Sequence, residues 1–101
     1  MQTIINGRQF EWDDNKAKLN KIKHGVSFKV AAKVFSDENR LEIPDDEHSW
    51  EEDRWQVIGK VDDILFVVYT ERGSFTRLIS AREATPTERR KYYAHKNIYQ
   101  F

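Results

Sequence analysis

The sequence predicts an α+β fold: two N-terminal helices, an antiparallel meander sheet of about four strands and a C-terminal helix. Three observations carry that expectation. Two stretches open on helix-capping residues, at Asp13 and at Thr85. Residues 54–61 and 75–82 alternate apolar and polar side chains, and 64–71 between them is a near-continuous apolar run, all bounded by tight turns. Helices and strands come in blocks instead of alternating one by one, which argues against a parallel α/β sheet.

Asn6-Gly7 sits between short apolar stretches and predicts a small N-terminal hairpin or extended arm, because both turn positions tolerate positive φ. Residues 13–24 predict a helix capped by Asp13 or Asp14, with lysines toward its C-terminal end and Gly25 as terminator. Ala17 and Ile22 would form its thin apolar stripe. Ser27 caps a second helix over about residues 27–35, in which Phe28, Ala31, Ala32 and Phe35 recur at helical spacing. The second helix of this pair is mostly apolar and offers only Lys29 and Lys33 as polar contacts, too few for a DNA-reading motif. Residues 40–43 form a short strand stopped by Pro44, and an acidic loop follows. Strands are expected over 54–61, 64–71 and 75–82, joined at Asp62-Asp63 and Arg72-Gly73-Ser74. Strict alternation along the last strand puts Arg82 on the face of Ser80, Leu78 and Thr76, opposite Arg77. Thr85, Pro86 and Glu88 make a capping box with proline at the first helical position, opening the last helix. Residues 1–101 form one domain, with 1–9 as an N-terminal extension and 97–101 as an aromatic tail.

A chain of 101 residues with 39% apolar and 13% aromatic content can bury one core. It has no Cys, which removes disulfides, thiolate catalysis and Cys-ligated zinc. The three scattered His and the absence of a phosphate loop, a His-Glu-x-x-His or an EF-hand predict neither metal nor cofactor. No apolar run approaches the ~20 residues that cross a bilayer, and the N-terminus lacks signal-peptide features, so a cytoplasmic protein without membrane contact is expected.

Seventeen basic and seventeen acidic residues give a net charge of zero, but they are segregated. Residues 37–53 hold nine acids against Arg40, a net −8, whereas residues 13–33 and 71–101 are each +4. A basic face is therefore expected, with the acidic segment turned away from it. Arg54, Arg72, Arg77 and Arg82 fall on neighbouring strands. Guanidinium groups projecting from one end of a sheet suit phosphate, and they stabilise the extra charge of a phosphorane-like transition state. RNA cleavage then needs only an acid and a base, for which His48, His24, Glu47 and Glu52 are candidates. Spacing alone reaches no further than a basic-faced domain that binds nucleic acid.

Phe10-Glu11-Trp12-Asp13, Asn20, Lys23-His24-Gly25-Val26-Ser27-Phe28 and Val34-Phe35 are similar to the opening of the BrnT toxin family. His48-Ser49, Arg54-Trp55, Ile58-Gly59, Ile79-Ser80-Ala81-Arg82 and Glu88-Arg89 extend the resemblance over about residues 10–93. It implies a RelE-like ribonuclease fold and an endoribonuclease that stops translation without metal. It also implies a BrnA-like ribbon-helix-helix antitoxin, two toxins with two antitoxins, with operator DNA bound only through the antitoxin. On the combined reading Arg72 and Arg82 clamp the scissile phosphate, and His48 acts as acid or base. Lys23 and His24 flank the site, and Arg54, Arg77 and Arg89 track the RNA. The antitoxin would cover this face and the helix around Tyr92 and Tyr93. The alternative is a non-catalytic basic-faced module for a partner protein or nucleic acid.

Overall fold

A computed structural model describes the backbone of residues 1–48 and 52–99 and the side chains of 1–47 and 52–96. The order is β1 (Gln2–Ile5), β2 (Arg8–Glu11), α1 (Asp14–His24), α2 (Phe28–Ala32), β3 (Leu41–Pro44), β4 (Arg54–Val61), β5 (Asp63–Arg72), β6 (Phe75–Glu83) and α3 (Pro86–Tyr99). Short 3-10 helices at Lys33–Ser36 and Asp46–His48 complete it.

Local chemistry accounts for the boundaries. Asp13 accepts a hydrogen bond from the Lys16 N–H, and α1 stops where Gly25 turns left-handed at φ 72°. Ser27 caps α2 on the Val30 N–H. The predicted second helix is shorter than expected, because after Ala32 it tightens into the 3-10 helix. There Val34 lies so close to Gly59 that a Cβ on Gly59 would be 2.9 Å from the Val34 Cβ. The capping box at Thr85 and Glu88 forms as predicted. The last helix runs on through Tyr99, into residues expected to trail off.

The sheet has six strands in the order β1-β2-β6-β5-β4-β3, not about four. The β3–β4–β5–β6 meander is antiparallel as expected. The predicted N-terminal hairpin forms, closed by Asn6 and Gly7 with φ of 50° and 83°, but it is no separate extension: it joins the sheet through a parallel pairing of β2 with β6. The reason is apolar. Phe10 is fully buried, and Trp12 packs edge-on against Phe28 with ring centroids 5.9 Å apart. Both outer strands, β1 and β3, are four residues long.

One sheet face carries the main core, where Phe10, Phe28, Ala31, Val34 and Phe35 meet Val57, Leu65, Val67 and Leu78. The other carries a smaller cluster in which Tyr92 of α3 packs with Ile58 and Ile64. α1 docks differently from expectation: Ile22 is 82% exposed and Leu19 64%, while Asn20 is buried. The Asn20 amide donates to the carbonyls of Val26 and Ala81 and accepts from the Ala81 N–H, at 2.9, 2.9 and 3.1 Å. β2 pairs with β6 only at Thr76 and Arg77, so Asn20 satisfies the edge that β2 leaves open. A backbone edge needs a polar partner, and an apolar stripe on α1 supplies none. Replacing Asn20 with Ala should lower unfolding stability by about 2–3 kcal/mol through stranded buried groups, read as a reduced urea midpoint at unchanged slope.

Candidate active site

The strand pairings decide which arginines share a face. Side chains of directly opposed residues in a ladder project to the same side. Val68 pairs with Ser80 and Tyr69 with Leu78, so Ile79 is an extra residue, a β-bulge. The bulge overturns the strict alternation expected for β6. Leu78 and Thr76 turn into the buried side with Ala81, whereas Arg77 joins Ser80 and Arg82 on the face that α3 only partly covers. Arg54 pairs with Thr70, which pairs with Arg77, which pairs with Glu11. Arg72 lies two residues beyond Thr70 on the same side of β5. Four arginines thus project from one face.

They are spread along it. Arg82 is in register with Phe66, and Arg72 is six residues further along β5, about 20 Å at the rise of a strand. Arg72 is held by Glu52 and Arg82 by Glu88, so the two arginines expected to clamp one phosphate are not brought together here and stand as ends of a row. Arg89 extends the row past Arg82, since it pairs with Asp63 at the start of β5 at 2.8 Å.

Nor is the face uncompensated positive charge. Arg82 forms a two-pronged pair with Glu88, at 2.7 and 3.0 Å, and stacks over the Phe66 ring at 4.2 Å. Arg72 and Arg54 both approach Glu52, at 3.3 and 3.9 Å, and Arg77 reaches Glu11 at 3.6 Å. The acidic segment is not turned away either: Asp45 and Glu47 line a recess of about 360 Å³ with Arg54, Phe66, Ser80, Arg82 and Glu88. Asp45 is held there by its backbone N–H, which donates to the Arg54 carbonyl at 2.8 Å.

Burial alone would raise the Glu88 carboxyl, but hydrogen bonds from Arg82 and from Thr85 outweigh it and hold Glu88 below the ordinary carboxylate range. Glu88 is therefore an anion at neutral pH, fixing Arg82 and closing the capping box at once. Asp37 behaves similarly: burial opposes its charge, but the Tyr92 hydroxyl at 2.5 Å and two backbone N–H groups lower it. Burial, and then Asp37, push the Tyr92 hydroxyl upward.

Lys23 and His24 do not line the recess; they end α1, which docks at the edge of β6 through Asn20 and Ala81, the residue before Arg82. The His48 backbone ends the 3-10 helix that carries Glu47, but its side chain lies outside the described residues, as do Ser49, Trp50 and Glu51. Sequence reasoning missed Glu88 as a site residue, although its place three residues after Thr85 was the available signal. Among the described residues no group of three His, Asp or Glu converges as a metal-ligand set would.

A family model described as the ribonuclease toxin BrnT of type II toxin–antitoxin systems matches residues 12–88. Among solved structures, the ribonuclease toxin BrnT of Brucella abortus is similar, with a TM-score of 0.61 and 26% identity, over 75% of this chain and 95% of that one. No curated protein matches the chain.

Glu88→Gln keeps a capping side chain but removes the charge that holds Arg82. It should cost about 1–2 kcal/mol at pH 7, Arg82 being one-third exposed. Because the folded Glu88 value lies below the unfolded one, its stabilisation is present above about pH 4.3 and lost as pH falls through the lower folded value. The gap between wild type and variant in urea midpoint should therefore close below about pH 4.

Proposed function

The chain belongs to the BrnT family of ribonuclease toxins of type II toxin–antitoxin systems, and on that premise we propose that it is a metal-independent endoribonuclease that stops translation by cutting RNA laid along the arginine face. The observation that carries this reading is the bulge at Ile79, which brings Arg54, Arg72, Arg77 and Arg82 to one side of the sheet.

The recess around Arg82 holds the scissile phosphate. A base takes the proton from the 2′-hydroxyl, O2′ attacks phosphorus, the bond to O5′ breaks, and an acid returns a proton to O5′. A 2′,3′-cyclic phosphate and a 5′-hydroxyl result. Arg82 uses N–H groups not engaged by Glu88 to stabilise the added negative charge, the work that a metal ion does in other nucleases. Glu88 is a positioning residue: it fixes the guanidinium and does not itself touch RNA. His48 serves as acid or base, since it directly follows Glu47 at the recess. Arg54, Arg72 and Arg77 hold the RNA backbone on one side of the cut and Arg89 on the other. Their carboxylate partners set a modest RNA affinity, because phosphate must compete with Glu52, Glu11 and Asp63.

The partner that restrains this activity in the cytoplasm is a BrnA-like ribbon-helix-helix antitoxin, two copies with two toxins, and operator DNA is reached only through it. The fold is of the RelE-like ribonuclease kind, extended here by the N-terminal hairpin.

Arg82→Ala should lower single-turnover RNA cleavage by ~10²–10³-fold, and Arg82→Lys should restore only part of it, since an ammonium cannot pair two-pronged. Arg72→Ala should instead weaken RNA binding by about tenfold or less, leaving the cleavage step little changed. Full-rate cleavage by folded Arg82→Ala would move the chemistry out of the recess. RNA binding without cleavage by the wild-type chain would favour the binding-module reading.

A further inference from the structure

The arginines of the site face have carboxylate partners in the same chain, but the opposite side carries lysines with none among the described residues. Lys18 and Lys29 have no carboxylate partner among the described residues, and residues 13–33 carry a net +4. These lysines rim a cleft of about 490 Å³ between α1 and α2, whose floor and walls are Trp12, Ala17, Ile22 and Phe28. Neighbouring Leu19 and Ile22 are among the most exposed large apolar side chains of the fold, and the chain's own core uses neither. Exposed apolar area costs about 25 cal/mol per Å² when it could be covered, and a contiguous patch with a polar rim is the mark of a docking surface.

We infer that this α1–α2 cleft is the anchor for the antitoxin, which fills it with a segment presenting apolar side chains flanked by Asp or Glu. The inference rests on the reading of the chain as a toxin with an antitoxin partner. Charge and shape choose this occupant over two others. A second copy of the chain would set +4 against +4. RNA would satisfy the lysines but not the cleft, because Trp12 and Phe28 are only 5% and 2% exposed and offer no ring face for base stacking. In the C-terminal helix Tyr92 is 1% exposed and bonded to Asp37 and Arg89 is engaged by Asp63, which leaves Tyr93 exposed but, among the described residues, no cleft beside it in which to seat an apolar segment.

The test uses the full chain and its purified cognate antitoxin. Ile22→Asp, at a solvent-exposed position, should weaken the complex at least tenfold, mainly by faster dissociation. Lys18→Glu with Lys29→Glu should slow association and flatten its salt dependence. RNA cleavage by either free variant should match wild type. Unchanged association and dissociation in both variants would overturn the inference while leaving the toxin reading intact. If wild type did not bind the antitoxin at all, the toxin reading would fall with it. A wild-type dimer in sedimentation that Ile22→Asp dissociates would assign the cleft to a second copy. A loss of RNA affinity in the lysine variant would assign it to RNA, and either result overturns the antitoxin anchor.

Discussion

The three hydrogen bonds of the Asn20 amide hold α1 against a strand that would otherwise end the sheet with unpaired backbone. β6 has a true neighbour on that side only at Thr76 and Arg77, and beyond them the side chain of Asn20 substitutes for a strand. Both the N–H and the carbonyl of Ala81 are engaged, which fixes the direction in which Ala81 and its neighbours point. With Ala81 turned into the core, Ser80 and Arg82 must face the other way. One polar side chain thus joins the helix pair to the sheet and holds the register of the strand that carries the site.

The local signals were legible in the sequence because they act over a few residues. Asp13, Gly25, Ser27, Thr85 and Glu88 each satisfy backbone groups within one turn, and Asn6-Gly7 sets its own turn. The β4–β5–β6 part of the meander was legible for the same reason, those strands being joined by short turns. The pairing of β2 with β6 was not, since it joins residues 66 apart, Phe10 with Thr76, and no local pattern encodes such a partner. The bulge at Ile79 was hidden differently. It carries no glycine or proline, and alternation counted without structure runs straight through it. One uncounted residue reversed the faces of Arg77 and Arg82 relative to each other. Asn20 was visible only as part of a family resemblance, because a helix polar at that position looks merely solvated.

Charge tells a related story. A net charge of zero, split into segments of −8 and +4, suggested separation into faces. Folding instead interleaves much of it. Glu52 lies between Arg54 and Arg72, Glu88 holds Arg82, and Asp63 meets Arg89. An arginine kept by a carboxylate has already given up much of its side-chain freedom, so a phosphate that arrives meets a group in place and not a mobile one. The cost is that each contact with RNA begins by sharing a donor already in use.

The shortness of β1 and β3 has a consequence for the chain when nothing is bound to it. A sheet's outer strands are templates for further strands, and long flat ones seed aggregation. Here each outer strand offers only four residues, and β3 ends on Pro44, which has no N–H to extend a ladder. A protein whose apolar cleft lies open thus offers little backbone edge for a further strand to add to, so the cleft's side chains and not a strand edge are what a partner meets.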